Sequence, residues 1–187
     1  MIFPHVTDKI KQVLTSSWLL AVLCVLSVGL MWLLNVIGEP LTIKDAKICW
    51  GIVDIELSWT VERATFIVEK WSEAGLIETA RLQTRLDFIF LCAYPASLSL
   101  ACRKLAGSRE GFMAAAGIAL SWAVLFCIPL DAFENIMILN MLSGNYACPI
   151  PILTSIAATL KFVLIAISLL LYIPLLLVLM VLKKSMM

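Results

Sequence analysis

Pro129-Leu130-Asp131-Ala132-Phe133-Glu134-Asn135 sets two carboxylates and an amide into a run that is otherwise uncharged from Phe112 to Leu142. Hydrocarbon solvates charge poorly. Acids in such a run must be neutralised, paired, or turned towards a polar cavity. What faces Asp131 and Glu134 therefore decides what this chain can do.

Working outward, the composition sets the class. The chain has 187 residues, of which 62% are hydrophobic and 14% charged. Soluble domains carry about 45–50% apolar and about 25% charged residues. The departure points to an all-α polytopic membrane protein, and the length suits a single membrane domain over residues 1–187. A formal charge of +1 argues against nucleic acid as a partner, because that partner demands a basic surface. His5 is the only histidine, which removes bis-histidine haem and His-rich zinc or di-iron sites. The six cysteines stand singly, with no CxxC, so no zinc knuckle or thioredoxin-type pair is written here. No metal site and no cofactor are expected.

Four spans are expected, at about 17–37, 86–104, 112–142 and 152–182. An apolar helix of about 20 residues crosses about 30 Å of hydrocarbon. The first run is too long for a secretory signal and shows no cleavage site before Gly38-Glu39-Pro40, so it is read as a retained span. Residues 38–85 form an extramembrane segment holding Trp50, Trp59 and Trp71. Within it Val61, Ala64, Val68 and Trp71 recur at helical spacing, with Gly75 as the stop. This amphipathic helix is expected to lie on the bilayer interface or to cap the bundle, with the tryptophans at the interface.

Lys9, Lys11, Arg103, Lys104, Arg109, Lys183 and Lys184 fall on one side of such a four-span chain, against Asp8 and Glu110. The loop at 143–151 on the other side carries no charge. The positive-inside rule then puts both termini in the cytoplasm. The expected location is a bacterial inner membrane.

Depth counting brings the polar groups to one level. At about 1.5 Å per residue, Asp87 lies about 25 Å above Lys104, Asp131 about 30 Å above Gly111, and Lys161 about 33 Å before Lys183. Glu134 and Asn135 follow Asp131 by one turn, on the same face. Lys161 sits among Ala157, Ala158, Leu160, Phe162 and Val163. An ammonium at that depth must snorkel, lose its proton or meet an acid. The expectation is a network of Lys161 with Asp131 and Glu134, to which Asp87 and Asn135 add hydrogen bonds. Gln83, Asp87, Phe90, Tyr94 and Ser97 form one helical face, which adds Tyr94 to the polar cluster. Thr154, Lys161 and Ser168 share a face, with Tyr172 roughly aligned. Pro95 and Pro129 free the carbonyls of Leu91 and Leu125 near this level. Cys49 and Cys148, the two cysteines outside the spans, are a possible disulfide in an oxidising compartment.

The run Leu86-Asp87-Phe88-Ile89-Phe90-Leu91-Cys92-Ala93-Tyr94, followed by Leu130-Asp131-Ala132-Phe133-Glu134-Asn135, resembles a group of uncharacterised bacterial four-helix integral membrane proteins. That group has an Asp-x-x-Phe…Tyr helix and an Asp-x-x-Glu-Asn helix. The resemblance covers roughly residues 80–142 and implies no particular activity. In architecture alone the chain is also similar to EXPERA-domain proteins, whose bundles hold acids in a sterol-type pocket. The histidine of their isomerase members has no counterpart here. Disulfide-generating quinone reductases share the four spans, but this chain lacks their cysteine pairs.

Two functions stay open on these residues. One is a non-enzymatic accessory subunit or lipid-binding module, with membrane lipids and either a larger membrane complex or a homo-oligomer as partners. The other is a membrane enzyme acting on a lipid or isoprenoid, with Asp131 or Glu134 as the catalytic acid/base and Lys161 stabilising an anion. A transporter is a third reading, which would need a dimer.

Overall fold

The structure, a computed structural model, describes residues 17–107, 109–175 and 178. Their named elements are all helical. They are α1 (Ser17–Gly38), α2 (Ile52–Glu56), α3 (Val61–Glu73), α4 (Ile77–Ala106), α5 (Gly111–Ala123), α6 (Cys127–Met141) and α7 (Ile150–Ala166). Short 3-10 turns cover Glu39–Leu41, Lys44–Ala46 and Val124–Phe126, and a π-helical turn covers Ile167–Tyr172.

Four stretches are long and apolar enough to cross a membrane: Ser17–Leu41, Ile77–Ala106, Gly111–Met141 and Ile150–Leu175. The first carries no charge from Ser17 to Gly38, and Trp18, Val25, Val28 and Trp32 point outward from it. An apolar surface of that extent calls for hydrocarbon or another protein around it. Two of its polar side chains are satisfied within the helix: Ser27 Oγ donates to the Leu23 carbonyl and Asn35 Nδ2 to that of Met31, both at 2.7 Å. The third stretch is not one α-helix. It tightens to a 3-10 turn over Val124–Phe126, next to the carbonyl of Leu125 that Pro129 cannot reach with an N–H. Pro95, in contrast, lies inside α4, which continues to Ala106. The end of the expected fourth span, past Leu175, falls largely outside the described residues, as do the terminal lysines.

The chain forms two compact units. The first comprises Gly29–Cys92 and Cys127–Val163 and contains the whole of the expected extramembrane segment. That segment is well folded. Gly51, at φ +59°, opens α2, and Thr60 caps α3 by accepting from the Arg63 N–H at 3.1 Å. Gly75, at φ +71°, closes α3. Ala64, Ile67, Val68 and Trp71 make one buried stripe on α3. The stripe packs with Leu41, Ile48 and Ile55 and with Ile138, Met141 and Leu142 at the end of α6. The amphipathic helix thus caps the end of α6.

The tryptophans correct the interface expectation in part. Trp50 and Trp59 are exposed, but Trp71 is fully buried and donates from Nε1 to the Leu41 carbonyl at 2.9 Å. An indole with a backbone acceptor within reach is stable in a core.

The second unit holds the described residues of 17–28, 93–126 and 164 onward. Tyr172 donates from its hydroxyl to the Met113 carbonyl at 3.1 Å, and Tyr172 packs with Cys102 in this unit's core. Gly117 permits that approach. A Cβ there would stand 1.7 Å from the Tyr172 hydroxyl oxygen and 2.8 Å from the Ala106 Cβ. Gly117→Ala should therefore destabilise the protein by about 1–3 kcal/mol, read as a lower thermal midpoint in mild detergent. An unchanged midpoint would contradict this packing.

Candidate functional site

The site lies in the first unit. α6 turns Asp131, Glu134, Asn135 and Ile138 to one buried face, at the spacing of successive helical turns. α7 turns Thr154, Ala157, Ala158 and Lys161 inward, and the two alanines leave room for the lysine stem. Lys161 is 6% exposed, Asp131 2% and Glu134 0%. The ammonium donates to Asp131 Oδ1 at 2.6 Å and to Glu134 Oε1 at 3.0 Å. It also lies 5.0 Å from the centre of the Phe162 ring.

A third acid joins them. Glu56 ends α2, is 8% exposed, and brings Oε2 to 3.8 Å from the Lys161 ammonium. The reading of 38–85 as an extramembrane helical segment left this residue out. Two signals in the sequence mark it. Glu56 follows Ile52, Val53 and Ile55 in the most apolar part of that segment. Its neighbour Asp54 has a cationic partner in Arg63, at 3.2 Å, whereas Glu56 has no such partner nearby in the chain.

The segment carrying Glu56 is held by other contacts. The Trp59 N–H donates to Ser155 Oγ on α7 at 2.9 Å, from a backbone at φ +58°, where a bulky residue is strained. Arg63 Nη2 donates to the Lys47 carbonyl at 2.7 Å, and Asp54 Oδ2 accepts from the Trp50 N–H at 2.6 Å. Arg81 Nη2 on α4 reaches the Leu142 carbonyl at 3.0 Å.

α4 supplies the outer members. Asn135 Nδ2 donates to Asp87 Oδ2 at 2.7 Å, and Asp87 is half-buried. Gln83 donates to the Leu34 carbonyl at 3.1 Å. Of the residues expected in the cluster, the structure gathers Asp131, Glu134 and Lys161 directly and Asp87 with Asn135 beside them. Tyr94 is buried in the other unit, where its carbonyl accepts from Ser97 Oγ at 2.8 Å. Thr154, Lys161, Ser168 and Tyr172 are all buried, so the polar face of the last helix points inward.

Charge balance governs the chemistry. One ammonium meets three carboxyl groups, and a buried carboxylate is costly unless it is paired and hydrogen-bonded. Burial pushes the Glu56 carboxyl above its ordinary value. Lys161 opposes that rise and the charge of Asp131 adds to it. Cys49 and Cys148 do not form the anticipated bridge; both are exposed free thiols. Among the described residues no group of three or more His, Cys, Asp or Glu side chains is arranged to hold a metal ion. No protein family, curated protein or solved structure matches the chain.

The Glu56 shift fixes the sign of a pH effect. An acid with a raised folded-state pKa binds its proton more tightly folded than unfolded. Its contribution to stability is therefore lost as pH rises above the ordinary value of 4.5. Thermal midpoints between about pH 5 and about pH 8 should fall with pH more steeply in the wild type than in Glu56→Gln. Equal slopes would contradict the burial of a titrating Glu56.

Proposed function

We propose that this chain is a four-span integral membrane protein acting as a non-enzymatic module, a lipid-binding protein or an accessory subunit. In this reading the Lys161 cluster fixes an extramembrane helical cap onto the membrane helices. The observation that carries it is the closure of the cluster. Lys161, Asp131, Glu134 and Glu56 are all buried and directed at one another. Such an arrangement specifies how helices pack, and it presents no reacting group to a substrate.

A second feature supports lipid as the ligand. The second unit carries an apolar groove of about 410 Å³, walled by Phe112, Ala116 and Leu120 on one side and by Ile167 and Leu171 on the other. Its walls suit an acyl chain. The cap belongs on the non-cytoplasmic side, with both termini in the cytoplasm, because the basic residues flank the opposite ends of the spans. A bacterial inner membrane fits that arrangement.

One observation favours the enzyme reading. Glu134 Oε2 is buried without a hydrogen-bond partner, as a carboxyl awaiting a proton-transfer partner would be. Carboxylate acid/base chemistry on a lipid or isoprenoid would then run through Glu134 or Asp131.

Native mass spectrometry of the protein, released gently from its own membranes, tests the proposal. A retained lipid mass or a stable complex with larger membrane proteins is the expected result. A bare monomer without either, together with loss of cellular function in a normally folded Glu134→Gln variant, would replace this reading with the enzyme.

A further inference from the structure

Glu134 is the most completely buried acid among the described residues, and its two oxygens are treated unequally. Oε1 accepts from the Lys161 ammonium at 3.0 Å. Oε2 is buried with no hydrogen-bond partner. An ionised carboxylate spreads its charge over both oxygens, so Oε2 would hold about half a negative charge with no donor to meet it. Proteins rarely leave a buried acceptor so.

Among the described residues, Lys161 is the one cation that acts on Glu134. From α2 the facing group is Glu56, while Asp87 of α4 meets Asn135 and the charge of Asp131. Asp131 shares α6, and Lys161 comes from α7. α1 carries no charge from Ser17 to Gly38. Arg63 of α3 is engaged by Asp54, and Lys70 by Glu73. Lys161 makes its shortest contact with Asp131, at 2.6 Å, which leaves Glu134 and Glu56 as two carboxyl groups at 3.0 Å and 3.8 Å from one partly used ammonium. Two like charges at that range do not both ionise in a buried site.

We propose that the cluster is a proton-binding site: Glu134 holds a resident proton on Oε2 at neutral pH, directed towards the Glu56 carboxylate. The proton turns Oε2 from an unmet acceptor into a donor and gives Glu56 an acceptor's role. It also lowers the net charge of the Glu56–Asp131–Glu134–Lys161 group from −2 to −1. Asn135, next to Glu134 in the chain, joins the cluster to the half-buried Asp87, which offers the proton a polar edge for exchange. The site goes beyond a packing role, because a group that keeps a proton in a buried network can also release it when Glu56 is withdrawn.

Infrared spectroscopy of the full chain in lipid nanodiscs tests this. A protonated carboxyl has a carbonyl stretch distinct from those of carboxylates and amides. The wild type should show that band at neutral pH, with a small shift in D₂O. The band should disappear in Glu134→Gln and persist in Asp87→Asn. If Glu134→Gln fails to fold, ¹³C-glutamate labelling of the unaltered chain decides, since the band must then move with glutamate label and stay fixed with aspartate label. Absence of the band from the wild type, its survival in Glu134→Gln, its loss in Asp87→Asn, or its movement only with labelled aspartate would overturn the proposal.

Discussion

A single ammonium, Lys161 Nζ, meets carboxyl groups from two other helices, and the first unit depends on that meeting. Asp131 and Glu134 arrive one helical turn apart on α6, and Glu56 arrives at the end of α2. None of these charges is tolerable alone in an apolar interior. Each is admitted because the others are there, so the segment from Gly51 to Glu56 and the helices α6 and α7 specify one another's positions.

The rest of the first unit is consistent with that constraint. α2 can bring Glu56 to the lysine only if the loop before it turns sharply, which Gly51 allows at positive φ. The Trp59 backbone then reaches Ser155, six residues before Lys161 on α7. α3 folds over this connection with Trp71 in its core. Apolar burial supplies the bulk of the driving force, since the stripe on α3 and the end of α6 form one continuous cluster. The ionic group supplies register, because an apolar face by itself tolerates sliding.

Much of this was legible before any coordinates. Apolar runs of span length define the four long helical stretches, and depth counting puts Lys161 level with Asp131 and Glu134. Both inferences rest on periodicity along single helices, which is a local property. Glu56 stands in the sequence as an acid without a nearby cation in an apolar stretch, but its meeting with Lys161 depends on a long-range fold of the 38–85 segment. Trp71 was assigned to the interface for the same reason: a tryptophan's preference is set by whether an acceptor such as the Leu41 carbonyl lies within reach. Tyr94 follows the helical face of Asp87 seven residues further along α4, and there it belongs to the other unit. The Cys49–Cys148 pairing rested on compartment alone, and sequence gives no distance between the two thiols.

On the proposed reading, the Lys161 cluster holds the α2–α3 cap against α6 and α7. Hydrogen–deuterium exchange of the full chain in nanodiscs, wild type against Lys161→Met, tests it most directly. Removing one partner of a buried ion pair costs about 3–5 kcal/mol, so amides of Ile52–Glu56 and Val61–Glu73 should exchange faster by about 10²–10⁴-fold while those of α1 stay unchanged. If the exchange of Ile52–Glu56 and Val61–Glu73 is the same in both proteins, the cap is held by its apolar contacts, and the cluster is not what fixes it.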